Sequence, residues 1–299
     1  ELPSPANTHA VSGPNGLFNV HNIGLPILLA VPFVLGGVLG AKLFMISLGS
    51  FVVVLAWKIS SRFSPSKACR FWTVLASTIA MPLVPASNQI FPDLLAGIIA
   101  LAAIYWILIT SEPKIKCTNT IIPIAIAIAF MPWLQIKYAA TCFILVTLIS
   151  TKIYFTTGSV KNIDIAKLWL INLISFALLA TYNFYAFGSY YGPYHLWPSG
   201  GLEISKTSLM VLLGLHFDQN QGFLLQNPVN FIGLLGIGWM YKYNRFLTVA
   251  WLLIFSSLIV PNALHPAWYG GWSFSGRFGW SAAIVFILPT IFGLLYIAK

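Results

Sequence analysis

Charged residues are scarce in this chain. They make up 7% of its 299 residues, whereas a soluble domain carries about a quarter, so an ordinary soluble domain is excluded. Acidic residues are the scarcest, with 6 Asp and Glu against 16 Lys and Arg. The resulting net charge of +10 is typical of the basic loops that flank membrane helices, and no nucleic-acid partner is predicted.

Cysteine is also rare. The three cysteines, Cys69, Cys117 and Cys142, share no metal-like spacing and give no disulfide framework. No pair of histidines has a recognisable metal-binding spacing either. The sequence therefore indicates no metal site, and it leaves open whether a cofactor such as a divalent metal is needed.

Hydrophobic residues are abundant, at 58% of the chain. They fall in repeated runs close to the ~20 residues that cross a bilayer as a helix, and the alternating segments of a β-barrel are absent. We therefore predict an all-α, polytopic transmembrane helical bundle of about nine or ten membrane segments, forming a single integral-membrane domain over residues 1–299. The predicted segments are 24–38, 40–58, 70–86, 93–110, 118–131, 138–155, 166–186, 222–241, 246–261 and 279–297.

The start of the chain carries two expectations. Residues 24–38 are short for a span and end at a Gly-Gly pair, so we expect a re-entrant or steeply tilted helix that makes one net crossing together with 40–58. The chain also begins at Glu1, without Met, in a polar stretch that is not a signal peptide. We expect it to be a fragment that lacks an upstream segment with a first helix.

Basic residues mark one side of the predicted bundle. Most of the Lys and Arg fall in alternate loops, which the positive-inside rule places in the cytoplasm. All five histidines lie in the opposite set of loops, with Asp93, Glu203, Asp218 and several Trp. The candidate chemistry is therefore predicted at the extracytoplasmic face.

Asp93 is the first candidate residue at that face. It follows Pro92, and this pair predicts the first turn of a helix, where the helix dipole favours a carboxylate. Two interpretations stay open: a helix-start acid, or a carboxylate directed into a cavity.

Two cations lie in neighbouring outer stretches. Lys137, in "MPWLQIKYA", either extends to the membrane interface or binds an anionic headgroup or phosphate. Arg277, in "HPAWYGGWSFSGRFGW", lies at a helix start on the side where positive charge is disfavoured. Its planar guanidinium suits phosphate oxygens, and a structural salt bridge is the alternative.

The stretch "GLHFDQNQGFLLQNPVNF", residues 214–231, gathers an Asp, three Gln and three Asn. A helix cap needs only one such side chain. The surplus at 218–221 favours contacts to the hydroxyl groups of a sugar, which need paired partners. A structural hydrogen-bond network is the alternative.

Five stretches, in this order, resemble a known family: "GLFNVHNIGLPILL", "SNQIFPDLLAG", "MPWLQIKYA", "GLHFDQNQGFLLQNPV" and "WYGGWSFSGRFGW". Together they are similar to the bacterial integral-membrane glycosyltransferases of the GT-C type, in the dolichyl-phosphate-mannose/arabinose transferase-like group. The resemblance covers nearly all of the chain.

The resemblance implies an enzyme of the bacterial inner membrane whose active site faces the periplasm or exterior. It would move a sugar from a polyprenyl-phosphate donor to a lipid, glycan or protein acceptor, in contact with membrane lipids. A carboxylate would deprotonate the acceptor, and cations would stabilise the leaving phosphate. The resemblance also implies that the established catalytic acid of the family lies in the first outer loop, inside which we expect this chain to begin, and that Gln135 lies where relatives often have His.

The base is therefore expected upstream of residue 1 or within this chain, where Asp93 and Asp218 are the catalytic candidates. The predicted substrate-binding residues are His21, Gln135, Lys137, Gln219, Gln221, His265, Trp268, Tyr269 and Arg277. The alternative functions are a transporter or flippase, whose ionisable groups are expected near the bilayer midplane, and a non-catalytic scaffold that binds lipid.

Overall fold

The computed structural model describes residues 10–79, 82–110, 120–156, 161–193, 204–265 and 276–298. Within these ranges the chain is a bundle of α-helices with one small β-hairpin. The helices are α1 Gly24–Ser60, α2 Lys67–Thr78, α3 Leu83–Ser87, α4 Pro92–Ile109, α5 Ile121–Leu134, α6 Ala139–Thr156, α7 Lys161–Phe187, α8 Ser208–Phe217, α9 Phe223–Gln226, α10 Asn230–Tyr243, α11 Arg245–Ala263 and α12 Trp280–Ile297.

Six helical stretches in the described part of the chain are long and apolar enough to cross a membrane. Their length and composition are those of an integral membrane protein. The other helices are shorter, including α5 and α8, so the predicted nine or ten segments include pieces too short to cross alone. The six stretches are Gly24–Ser60, Pro92–Ile109, Ile136–Phe155, Asn162–Phe187, Arg245–Ala263 and Arg277–Ile297.

The predicted segments 24–38 and 40–58 form one sharply bent helix, α1. The bend lies at the Gly-Gly pair, where Gly36 leaves helical geometry and Gly37 has a φ of 57°, a conformation that favours glycine. Residues eight apart lie about 12 Å apart along a straight helix. Here a Cβ built on Gly40 would collide with the carbonyl oxygen of Pro32, so the two halves of α1 approach each other closely.

Helix α12 forms the centre of the bundle. It is buried along almost its whole length and packs against α1, α2, α4, α10 and α11. Its closest neighbour is α10, where a Cβ added to Gly236 would meet the backbone of Pro289 and Gly293. The missing side chain therefore lets the two backbones approach directly.

A β-hairpin, which the all-α prediction does not include, precedes α1. Strand β1 (Ala10–Gly13) pairs antiparallel with β2 (Gly16–Asn19). The hairpin packs on the C-terminal end of α7, where the ring of Phe18 lies 5.9 Å from that of Phe187. The side-chain amide of Asn15 donates to the carbonyl of Tyr185 at 2.7 Å. Such a short element has no clear signal in a sequence dominated by helical runs.

Candidate functional site

The candidate site lies at one end of the bundle. Helices α4, α6 and α12 begin there, and α5 and α11 end there. The start of α4 is as predicted, with Pro92 at the first helical position and Asp93 in the first turn. A short 3₁₀ turn, Ile136–Tyr138, links α5 to α6, and a second, Arg277–Gly279, leads into α12.

Asp93 is the centre of a buried polar cluster at this end. Its side chain has no exposed surface. Its Oδ1 accepts hydrogen bonds from Lys137 Nζ at 2.9 Å and from the Tyr138 hydroxyl at 2.7 Å. Its Oδ2 accepts one from Arg277 Nε at 3.4 Å. Three residues far apart in the sequence and predicted as separate candidates, Asp93, Lys137 and Arg277, are thus brought together in one site.

Asn262, at the end of α11, extends this cluster. Its Oδ1 accepts a hydrogen bond from Lys137 Nζ at 3.0 Å, and its Nδ2 donates to the carbonyl of Phe278 at 2.7 Å. The amide therefore connects the cation to the turn that carries Arg277. Together the Asp93 and Asn262 side chains fix the Lys137 ammonium from two sides.

Aromatic rings line the two cations. The Arg277 guanidinium carbon lies 3.8 Å from the centre of the Phe91 ring, and Lys137 Nζ lies 4.9 Å from that of Phe278. The negative face of an aromatic ring attracts a cation. Each cationic side chain retains 13% exposure, so both are largely removed from water yet reach the edge of the site.

Several polar atoms near the cluster are buried without a hydrogen-bond partner in the described part of the chain. They include Oε1 of Gln135, two residues before Lys137, and both Nε1 of Trp280 and Oγ of Ser281 at the start of α12. Buried polar groups are nearly always paired. This end of the bundle therefore offers hydrogen-bonding capacity that the described protein atoms do not use.

Asp218 makes a local turn rather than a helix start. It follows the last residue of α8, and its Oδ1 accepts hydrogen bonds from the backbone N–H groups of Asn220 and Gln221, both at 2.8 Å. This is the turn-forming use of an aspartate. The Asp218 side chain remains partly exposed, and the neighbouring Gln219 is exposed.

The loop 218–226 packs against the segment that carries Arg277. Gln221 Oε1 accepts a hydrogen bond from the backbone N–H of Gly276 at 2.7 Å, and the Gln226 amide donates to the carbonyl of Asn220. Gly276 has a φ of 77°, and a Cβ there would meet the Gln226 amide at 2.5 Å. Much of the predicted surplus of amides thus orders the loop and attaches it to the site.

The remaining predicted residues lie at varying distances from the cluster. His265 follows α11, and its ring lies 5.4 Å from that of Phe278. Burial lowers the pKa of His265 below its ordinary value, and the positive charges of Lys137 and Arg277 lower that pKa further. His21 is exposed just before α1. Trp268 and Tyr269 lie outside the described residues.

An apolar groove of about 410 Å³ opens on the same half of the bundle. Its wall includes Ile27 of α1, Phe130 and Trp133 of α5, and Ile171, Ser175 and Leu178 of α7. Its polar groups are already paired, because Trp133 Nε1 donates to Ser175 Oγ at 2.9 Å and Ser175 Oγ donates to the carbonyl of Ala129. The groove can therefore offer an occupant only apolar contacts.

Tyr138 and Asn262 are functional candidates that sequence reasoning missed. Tyr138 directly follows Lys137, but residues adjacent in sequence do not in general share a partner; here the tight 3₁₀ turn brings both to Asp93. Asn262 carries a weak signal, as a lone amide near the end of an apolar run. In the described residues no cluster of three His, Cys, Asp or Glu side chains could bind a metal.

Comparison of the chain with protein-family models, curated proteins and solved structures found no match.

Proposed function

We propose that this protein is a membrane glycosyltransferase that moves a sugar from a polyprenyl-phosphate donor to a lipid, glycan or protein acceptor. The observation that carries the proposal is the fixed pair of cations, Lys137 and Arg277, on the buried carboxylate of Asp93. Both cations are largely buried yet reach the edge of the site, and this arrangement suits an anionic group.

A phosphate is the anion that this geometry suits best. The leaving lipid phosphate gains negative charge as the sugar–oxygen bond breaks, and preorganised donors stabilise such charge most strongly where water is excluded. The guanidinium and ammonium groups are both largely buried and held by fixed partners. They therefore need little rearrangement to stabilise the developing charge.

Asp93 has the role of a positioning residue in this proposal. Both of its carboxylate oxygens accept hydrogen bonds from neighbouring side chains, and a general base must reach the proton that it removes. The geometry therefore favours Asp93 as the anchor of the two cations. Asp218, which is partly exposed beside the loop amides, is the better placed of the two aspartates for contact with an acceptor.

The apolar groove supports a lipid-linked donor. It lies on α5 and α7 within the apolar helices, and Trp133 in its wall is four residues from Lys137. A hydrocarbon chain in the groove would leave its phosphate near the cations. The unpaired atoms of Gln135 and Trp280 would find partners in the hydroxyl groups of a sugar.

The test is transfer of label from radioactive polyprenyl-phosphate sugars in membranes that contain the whole gene product. Arg277→Gln and Lys137→Gln should each lower the rate about 100-fold or more, the usual loss when one preorganised donor is removed. Lys206→Gln is the matched control, because Lys206 is an exposed cation outside the cluster. It should transfer at the parental rate.

Three outcomes distinguish the proposed transferase site from the alternative functions. Transfer that survives both cluster substitutions would leave a glycosyltransferase but reject this site. Absence of transfer with every donor, while the protein still binds polyprenyl phosphate, would favour the lipid-binding scaffold. Movement of the lipid across the bilayer without any new glycosidic bond would favour the flippase.

A further inference from the structure

A second cluster of cations lies at the opposite end of the bundle. Four are exposed, and Arg70 is partly buried. All lie at helix ends: the end of α1, the start of α2, the end of α10 and the start of α11. We name this surface the basic face; its residues are Lys58, Lys67, Arg70, Lys242 and Arg245.

An aromatic junction brings the two halves of the basic face together. Phe63, in the loop between α1 and α2, has its ring 5.3 Å from that of Tyr243 and 4.3 Å from that of Phe292. The loop is thereby fixed against the ends of α10 and α12. Basic stretches nearly 180 residues apart in the sequence therefore form one surface.

Arg70 provides an independent sign of an anionic ligand. Its guanidinium carbon lies 4.8 Å from the centre of the Trp57 ring, which fixes its position. Its Nε is buried and has no hydrogen-bond partner in the described part of the chain. A buried donor on a cation is costly to leave unpaired, and a phosphate oxygen would be a suitable acceptor.

Exposed aromatic side chains lie beside the cations on the same helix ends. They include Phe71, Trp72, Tyr241 and Tyr243. Aromatic side chains concentrate at the level of the lipid headgroups, so the cations of the basic face lie in that zone. Clusters of 4–8 Lys and Arg directly beside membrane helices attract anionic lipids.

We propose that the basic face binds the headgroups of anionic glycerophospholipids in the adjacent leaflet. The ligand is a membrane lipid rather than a soluble anion, because the aromatic rim places the charges at the headgroup level. The proposal does not depend on the transferase activity, since the two surfaces lie at opposite ends of the bundle.

The experiment titrates the purified protein with phosphatidylglycerol or phosphatidylcholine and counts bound lipids by native mass spectrometry. Phosphatidylglycerol should bind more tightly, and added salt should weaken it because exposed charges are screened. Lys242→Gln/Arg245→Gln should weaken phosphatidylglycerol binding about 25-fold, since each cation near an anionic surface contributes about a factor of five. Arg70→Gln should weaken it about fivefold on the same basis.

Two controls make the result specific. Lys242→Arg/Arg245→Lys keeps both charges and should bind phosphatidylglycerol as the parent does. Lys206→Gln removes an exposed cation outside the basic face and should also leave binding unchanged. If the double variant does not fold, the single Lys242→Gln variant carries the same test with an expected loss of about fivefold.

The proposal is overturned if phosphatidylcholine binds as tightly as phosphatidylglycerol, or if the neutralised variants keep parental binding. Loss of binding in the charge-preserving swap would also overturn it, because electrostatic attraction would not explain that loss. Competition by soluble glycerophosphoglycerol at the same concentration as the intact lipid would also overturn the proposal, because the ligand would then be a soluble anion rather than a membrane lipid.

Discussion

The two ends of the bundle use positive charge in opposite ways. At the site end, Lys137 and Arg277 are largely buried and share the carboxylate of Asp93. At the basic face, cations such as Lys242 and Arg245 extend from helix ends and are exposed. Burying a charge costs several kcal/mol unless a partner compensates, whereas an exposed charge costs little. The first end is therefore a fixed site, and the second is a diffuse electrostatic surface.

The largest expected effect is the loss of stability in Asp93→Asn. The substitution keeps the shape of the side chain but leaves two buried cations without their carboxylate, which costs about 3–5 kcal/mol when a buried pair is broken. Unfolding in detergent, followed by circular dichroism, measures the change. Asp218→Asn is the matched control, and its loss should be much smaller because Asp218 is partly exposed.

A stability loss in Asp93→Asn no larger than that of Asp218→Asn would remove the contrast between the two ends. It would mean that water reaches the Asp93 cluster and screens it. The double variant Asp93→Asn/Lys137→Gln sharpens the result, because removing both partners should cost less than the two single losses added together.

The packing between the two ends gives the next largest effect. Gly236→Ala places a methyl group against the backbone of Pro289 and Gly293, and overpacking of this kind typically costs about 1–3 kcal/mol. Gly238→Ala, two residues further on in α10, meets nothing within 4 Å and should be neutral or stabilising, because Ala is the better helix former. Thermal unfolding of both variants gives the comparison, and equal stabilities would reject the close approach of α10 and α12.

Tyr138→Phe tests one hydrogen bond of the buried cluster. The Tyr138 hydroxyl donates to Asp93 at 2.7 Å, and a hydrogen bond to a charged group contributes about 1.5–3 kcal/mol. Lys137 remains bound to the same oxygen, so a loss near the lower end of that range is expected in chemical denaturation. A variant as stable as the parent would show that the hydroxyl is dispensable.

Much of the fold follows from the sequence, because long apolar runs leave few alternatives to membrane helices. The start of α4 was predictable from Pro92 and Asp93, since both residues favour a first turn. The bend in α1 lies at the Gly-Gly pair that the sequence identifies as the end of its first segment. The hairpin at 10–19 was missed because four-residue strands give no periodic signal.

The site was only partly predictable, because its geometry depends on how the helix ends meet. Sequence reasoning selected Asp93, Lys137 and Arg277 individually, each with a structural alternative. That they share one ion cluster depends on tertiary packing over more than 180 residues. The sequence also left open whether the amides near Asp218 contact a ligand or form a structural network, and in the structure Gln221 bonds the backbone of Gly276. A pattern of residue types does not reveal which backbone group a side chain reaches.

Neutralising the basic face should have almost no effect on folding. Exposed side chains away from special contacts usually change stability by no more than about 0.5 kcal/mol. In uncharged detergent, the free energy of unfolding of Lys242→Gln/Arg245→Gln should therefore lie within that range of the parental value. The same variant should bind anionic lipid more weakly. A loss of stability comparable to that of Asp93→Asn would mean that the basic face, like the Asp93 cluster, is a fixed network of charges. The two ends would then not differ in how they use positive charge.

The smallest expected effect is a pH dependence at His265. Burial and the nearby cations Lys137 and Arg277 lower its pKa from 6.5, so the folded state resists a proton that the unfolded chain accepts. Its contribution to stability should be complete above pH 6.5 and should be lost as the pH falls below that value, until the pH passes the lowered pKa of the folded state. Unfolding of the parent and of His265→Gln across this range isolates the contribution, because other titrating groups cancel in the difference. The difference in free energy of unfolding between the parent and His265→Gln should narrow as the pH falls. A constant difference would show that neither burial nor the two cations lower the pKa of His265 in the folded protein.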